Sequence, residues 1–514
     1  VGGVEGIPDP KETNPELFNL TRSDAPIPQF VRAMETGGIE VNPQEVVANL
    51  QYQPITGVDG KQYIIGTYNL DPNPNKSGET LEGPIPLVIW DEEEGWRDIK
   101  RELADLGGIN FGVQGLSEAY NDREYKKRLE YFNQIVIDGE LHWGGTIVPN
   151  KKLRPSPNRF DFTLADRVVK LAKSNNMKIQ AHHLVWGINF RGPDGRMITA
   201  IPDWLSQGDY TREQLIQIMQ DHIYTVMRHY PNINSWTVVN EPYTYSRGAD
   251  FWFERLGEQY IEIAFETASQ IAQETNPSTL LILNDTDNLT INQRSNFGYK
   301  KLRVLSQRGI PNLAYGFQGH IDGANPPSVE QMIRNFQRFK DLGVEIVLTE
   351  LDVDMSNVRG TPEEKAIIQT QIYRNVIETF LKAGGTDFSI FGVSDNLSWY
   401  EFTGKPDANA TLRDDHGRLK PPYYTIQQIL FERLFKEAGR RAWPSLPLGQ
   451  LASALDSPAA GERPDLGRVA DIVAAGDRDA GPGGGGLFAV DSQVEPNHKI
   501  RSRQNDYPKH FFTA

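Results

Sequence analysis

Eight short apolar runs alternate with helical segments between residues 106 and 443, and this alternation constrains the fold more than any other feature. The runs are Phe111–Leu116, Gln134–Trp143, Lys178–Trp186, Ser235–Tyr243, Leu280–Asn288, Ala314–Asp322, Glu345–Val353 and Asp387–Asn396. Between them lie helical patterns such as Leu164–Ser174, Arg212–Arg228, Val329–Leu342 and Glu363–Lys382, and Tyr424–Ala438 closes the series. Helical spacing is clearest at Ile367, Ile368, Ile372, Val376 and Phe380. Buried strands alternating with helices mean a parallel sheet, and eight units predict a closed (β/α)8 barrel of the α/β class rather than an open, doubly wound sheet.

The flanks have a different texture. Residues 1–105 read as an extension of short strands and turns, with a hairpin at Val58-Asp59-Gly60 and a turn-rich Asp71-Pro72-Asn73-Pro74-Asn75. Structural packing on the barrel is its expected role, ahead of a glycan-binding module or a lid. The acidic run Asp91–Glu94 reads as a solvated helix start, since it lacks the alternating oxygen spacing of a calcium loop. Residues 444–514, with the glycine run Gly483–Gly486 and the weakly basic Lys499–Arg503, read as a linker or low-complexity tail.

Composition removes several classes of function. A formal charge of −15 argues against a nucleic-acid partner and against docking on an anionic membrane. No apolar run is long enough to insert into a bilayer. The absence of cysteine excludes disulfides, a thiol nucleophile and Cys-ligated metals. A mature, secreted chain is the expectation; oligomeric state is left open.

Barrel enzymes carry their chemistry at the C-terminal ends of the strands. There, run four reads Trp236-Thr237-Val238-Val239-Asn240-Glu241-Pro242 and run seven reads Ile346-Val347-Leu348-Thr349-Glu350-Leu351-Asp352-Val353. A glutamate thus follows each apolar run, and the two would face each other across the barrel mouth. Cleavage of a glycosidic bond uses one carboxylic acid to protonate the leaving oxygen and a second carboxylate across the anomeric carbon. At a separation of roughly 5–5.5 Å the second acts as a nucleophile and configuration is retained. Glu241 as acid/base and Glu350 as nucleophile fit this scheme, with the charge of Glu350 raising the proton affinity of Glu241. A single strand-end glutamate is more often a salt-bridge partner; two such residues with polar neighbours favour catalysis. His320, at the end of run six, is placed to hydrogen-bond Glu350 while Asp352 orients it.

Together these residues resemble glycoside hydrolase family 10, whose typical member is an endo-β-1,4-xylanase. The resemblance spans about residues 106–440. It implies that Asn240 meets the sugar 2-hydroxyl, that Gln318 and His320 form the family's Gln-x-His, and that Asp352 supports the histidine. His182 and Trp186, in His182-His183-Leu184-Val185-Trp186, are implied at the sugar beside the scissile bond, and Trp399 over the glycone. Asn284-Asp285 matches a structural pair, and Leu412–Tyr423, with Lys420-Pro421, matches the final loop. The resemblance breaks on run two. Asp138-Gly139-Glu140-Leu141-His142-Trp143 stands where the family has Glu-Asn-x-Met-Lys-Trp, so Gly139 and His142 replace an Asn and a Lys. Asn189 replaces a Gln, and Phe391 a Trp. Asn189 and His142 remain substrate-contact candidates. The implied ligand is a polysaccharide or oligosaccharide of xylan type, cleaved without cofactor or metal. The departures keep open another β-glycan or a small β-glycoside, and endo or exo action. A non-catalytic glycan-binding or structural role is the third reading; retention of both glutamates speaks against it.

Overall fold

The computed structural model describes residues 8–70, 81–191, 195–243 and 249–440, all within the compact unit Val1–Leu455. The tail 444–514 and the turn Asp71–Asn75 lie outside the described residues.

Before the barrel, β1 (Gln51–Thr56), β2 (Gln62–Leu70), β3 (Gly83–Trp90) and β4 (Arg97–Asp98) form an antiparallel meander. The expected hairpin joins β1 to β2, and Gly60 supplies the left-handed residue of its turn at φ 78°. Helical elements depart from the expectation of strands and turns, and the longest of them is Pro26–Thr36. Its prolines sit in the first turn, where the missing N–H costs nothing, and Ile27, Phe30, Val31 and Met34 form its buried stripe. Asp91–Glu94 is a turn rather than a helix start. Asp91 accepts from the N–H groups of Glu93 and Glu94, and Arg97 pairs with Asp91 at 2.7 Å and with Glu94 at 3.0 Å. The extension packs on the last helix, Pro421–Arg440: Phe30 meets the Tyr424 ring edge-on at 5.2 Å, and the Tyr423 hydroxyl donates to the carbonyls of Ile99 and Lys100.

The eightfold alternation closes into a barrel. Its parallel strands are β5 (Asn110–Gln114), β6 (Gln134–Ile137), β7 (Lys178–Trp186), β10 (Ser235–Asn240), β11 (Leu280–Asp285), β12 (Leu313–Phe317), β14 (Glu345–Asp354) and β15 (Asp387–Ile390), and β15 pairs back onto β5. Two pieces sit at the mouth: the hairpin β8 (Asn189–Arg191) and β9 (Met197–Thr199), and β13 (His320–Asp322), which continues the sixth strand alongside β14. The surrounding helices start on explicit signals. Thr211 with Gln214 and Thr361 with Glu364 form capping boxes on Arg212–His229 and Pro362–Lys382.

Several strands end earlier than their apolar runs. Run two leaves the sheet at Ile137, and Gly139–Leu141 is a 3-10 turn. Run four ends at Asn240 because Glu241 adopts φ 48°. Run six breaks at Gly319, φ 81°, and run eight stops at Ile390. The breaks in runs two, four and six leave polar residues, Asp138, Glu241 and Gln318, just beyond the strand ends. Among the described residues, no helix is long and apolar enough to cross a membrane.

Candidate active site

Glu241 follows directly on β10. Its N–H donates to Asn284 O at 2.8 Å, which fixes a left-handed backbone that costs energy for a residue with a Cβ. Its Oε1 accepts from Gln318 Nε2 at 2.7 Å. Burial pushes the Glu241 carboxyl up, the Gln318 amide pulls it back, and the charge of Glu350 pushes it up again; the net shift is upward.

Glu350 lies within β14, 6% exposed. Asn284 Nδ2 donates to its Oε1 at 2.8 Å, and His320 Nε2 stands 3.2 Å from its Oε2. On the far side of the ring, His320 Nδ1 lies 2.8 Å from Asp352 Oδ2. Burial opposes charge on His320, but Asp352 and Glu350 outweigh it and raise the imidazole to about 10. The ring is therefore a cation at neutral pH, donating to both carboxylates. Asp352, fully buried, also accepts from Trp399 Nε1 at 2.9 Å and Tyr400 Oη at 3.1 Å.

Amides join the two glutamates. Asn240 Oδ1 accepts from Asn284 Nδ2 at 2.9 Å and lies 3.5 Å from Gln318 Nε2. With that oxygen committed, the remaining polar group of the Asn240 side chain is its Nδ2 donor. Asn284 in turn accepts from Thr349 Oγ1 at 2.7 Å. Asn284 thus does more than the structural role that the resemblance implies for it. The signal was available: in Leu280–Asp285 it breaks an apolar run at the strand's C-terminal end, as Glu241 and Glu350 do in theirs. Its neighbour Asp285 pairs with Arg294 at 2.8 Å, yet burial raises it to about 7.

His182 faces the same space. Its Nε2 is 3.9 Å from Glu350 Oε1 and 3.9 Å from Asp138 Oδ1, and its Nδ1 is 3.2 Å from Thr237 Oγ1. His142 joins through Asp138, 3.6 Å from Nε2, and lies edge-on to Trp186 at 5.6 Å. Burial works against charge on Asp138, but His142, His182 and the Gln114 amide hold its carboxyl well below the usual range. The structure therefore gathers Glu241, Glu350, Asn240, Gln318, His320, Asp352 and Trp399 into one hydrogen-bonded network, with His182, His142 and Trp186 beside it. Asn189 stands apart on β8; among the described residues its contribution is a backbone N–H donated to Ala249 O. Phe391 packs on the His320 ring at 5.3 Å. On run two, Lys151 fills the space beside Gly139. A Cβ there would meet Lys151 Cδ at 3.1 Å, and the ammonium is held by Glu140 at 2.7 Å and Glu118 at 3.0 Å. Trp252 is core, and Trp204 donates its indole N–H to Arg154 O.

Residues 99–429 match the model of glycosyl hydrolase family 10. The chain belongs to this family. It is 29% identical over 349 residues to endo-1,4-beta-xylanase B of Thermotoga neapolitana, covering 65% of this chain and 92% of that protein. It is 29% identical over 342 residues to the beta-1,4-xylanase of Dictyoglomus thermophilum, covering 63% and 88%. Xylanase 10B from Thermotoga petrophila RKU-1, solved in complex with xylobiose, superposes with a TM-score of 0.58 at 28% identity, covering 66% of this chain and 99% of that one. Among the described residues, no group of three or more His, Asp or Glu side chains is arranged to hold a metal ion.

Proposed function

We propose that this family 10 glycosidase cleaves β-1,4-linked polysaccharide of the xylan type by double displacement, with Glu241 as acid/base and Glu350 as nucleophile. The observation that carries the assignment is the unequal dressing of the two carboxylates. Glu241 is half-buried, faces a negative charge and receives one neutral amide, and the net effect is an upward shift that keeps its proton. Glu350 receives an amide and an imidazolium, so donors and positive charge are set against it.

In the first step Glu241 protonates the glycosidic oxygen while Glu350 attacks the anomeric carbon from the opposite face, giving a glycosyl-enzyme. Glu241, now ionised, then removes a proton from water, which attacks the same carbon and frees Glu350. Asn240 Nδ2 is placed to hydrogen-bond the sugar held between them, and the Trp186 and Trp399 rings offer faces to pyranose units. Asp352 fixes the orientation and charge of His320, so the nucleophile keeps a cation through both steps.

The test is the anomeric configuration of products from xylo-oligosaccharides, followed by NMR from the first turnovers. A β-configured first product supports the scheme; an α product rules it out. Glu350→Ala should abolish turnover, and added azide should restore an α-glycosyl azide. A second reading, another β-glycan, draws on Gly139, which has no side chain to offer, and on His142, whose Nε2 faces Asp138. Relative rates on xylan, mixed-linkage β-glucan and aryl β-glycosides decide between them. Action outside the cell belongs to the same proposal, because a polymer of this class does not cross membranes; activity in the culture fluid of the source organism tests it.

A further inference from the structure

We propose that Phe190 is a stacking platform for a sugar lying beyond the one at Trp186, so that hairpin β8–β9 lengthens the glycan-binding cleft. This rests on the glycan-hydrolase reading above and adds a subsite to it.

The connection from β7 to helix Arg212–His229 runs from residue 187 to 211. Most connections in barrels of this kind take 2–6 residues, and much longer ones tend to carry function. Among its described residues, 189–191 and 197–199 form a ribbon, with Asn189 opposite Thr199, Phe190 opposite Ile198 and Arg191 opposite Met197. Both edges of the ribbon are tied into the barrel mouth. On one side the Thr146 N–H donates to Thr199 O at 2.8 Å and the Thr146 hydroxyl to Met197 O, fixing it to the loop after β6. On the other, Asn189 N–H donates to Ala249 O at 2.8 Å and Phe251 N–H to Gly187 O at 2.7 Å. That second loop is the one that begins with Glu241. The hairpin is therefore a fixed part of the rim between the loops of the second and fourth barrel strands.

Side chains alternate along a strand, so Phe190 and Ile198 share one face of the ribbon and Asn189 and Thr199 the other. Thr199 is buried, whereas Phe190 leaves 37% of its surface in water. Part of the ring packs on the ribbon and part stays open on the rim, free to take a ligand. A pyranose suits that open part: the C–H groups of its face carry partial positive charge and meet the negative face of the ring. Phe190 lies four positions along the chain from Trp186, which limits their Cα separation to about 14 Å, a span of a few sugar units. Tyr224 provides the contrast. It is also exposed, but it sits on the outer helix Arg212–His229 with the Arg228 guanidinium 4.7 Å from its ring centre.

The experiment compares wild type, Phe190→Ala and Phe190→Trp on linear β-1,4-xylo-oligosaccharides of increasing length and on a short aryl xyloside. Phe190→Ala should lose about threefold to tenfold in kcat/KM on the longest substrates, the range of one aromatic stacking contact. It should match wild type on the shortest, and Phe190→Trp should keep the length dependence. Equal rates for Phe190→Ala and wild type at every length, or an equal loss at every length, would overturn the proposal. Wild type that cleaves another β-glycan series instead is compared on that series with the same criteria. Wild type inert on every glycan refutes the hydrolase reading, and this one with it.

Discussion

Replacing Gln318 by methionine isolates the one hydrogen bond that opposes protonation of Glu241. Methionine keeps the length of the side chain and removes the donor. In the folded protein Gln318 Nε2 donates to Glu241 Oε1 at 2.7 Å, an interaction that favours the ionised carboxylate. A hydrogen bond to a charged group contributes about 1.5–3 kcal/mol, and one pKa unit corresponds to about 1.4 kcal/mol. That energy is a ceiling, because the carbonyl oxygen of the neutral acid can also accept from the amide; losing the bond should raise the proton affinity of Glu241 within it. The first step needs Glu241 protonated, so the alkaline limb of kcat/KM against pH should move upward. At the optimum, kcat should fall, because the carboxyl is no longer held in line with the glycosidic oxygen. The assay is kcat/KM for a soluble xylo-oligosaccharide across the full pH range, with circular dichroism showing an intact fold. Glu350→Gln supplies the opposite sign: it removes the negative charge that helps to raise Glu241, so Glu241, followed by carbon NMR, should titrate lower than in wild type. An alkaline limb that stays put or moves downward in folded Gln318→Met would refute the electrostatic account of the acid/base.

His320 is raised to about 10 in the fold from an ordinary value near 6.5, so its contribution to stability is complete below about 6.5 and is lost as pH rises through about 10. Thermal melts should show wild type losing Tm over that window and His320→Gln losing less; identical slopes would count against the imidazolium. Gly316→Ala would place a Cβ 2.2 Å from Asn284 Oδ1, forcing aside the side chain that holds Glu350. It should cost about 1–3 kcal/mol in chemical denaturation and lower kcat at least about tenfold; a variant with unchanged kcat would remove Asn284 from the positioning of the nucleophile. Trp399→Phe keeps an aromatic face but loses the N–H donated to Asp352, so kcat should fall more than KM rises in steady-state assays. A change confined to KM would reduce Trp399 to a sugar contact.

The barrel was legible because its signal is redundant: eight buried strands and their helices repeat one pattern, so no single boundary decides the fold. The boundaries themselves failed where chemistry is concentrated. Run four was read through to Tyr243, yet the chain leaves the sheet at Glu241 with a positive φ. Run two was read through to Trp143, yet it ends at Ile137. Apolar periodicity reports which residues are buried, and residues over a barrel mouth are buried without being in strands. The helix Pro26–Thr36 lies in the stretch that reads as short strands and turns; its two prolines mark a helix start, since both sit in its first turn. Both glutamates, His320 and Asp352 could be found as polar residues interrupting apolar runs. Lys151 could not. Its place beside Gly139 depends on a loop folding back over run two, and no spacing in the chain records that contact.

The two glutamates are the same side chain on one barrel, so their division of labour comes from their neighbours. Each makes a short hydrogen bond to a carboxamide, Gln318 for Glu241 and Asn284 for Glu350. Those two bonds do not tell them apart. The asymmetry enters with His320, which reaches Glu350 through Nε2 while Asp352 holds Nδ1. Asp352 alone would add a second negative charge near the nucleophile. Bound to His320, it instead stabilises a cation against the burial that would neutralise it, and the Trp399 indole and Tyr400 hydroxyl satisfy its remaining lone pairs. The nucleophile thereby faces positive charge and the acid faces negative charge. Because Trp399 donates to the same Asp352 oxygen that holds the imidazole, the ring offered to the sugar and the cation offered to the nucleophile are positioned by a single buried carboxylate.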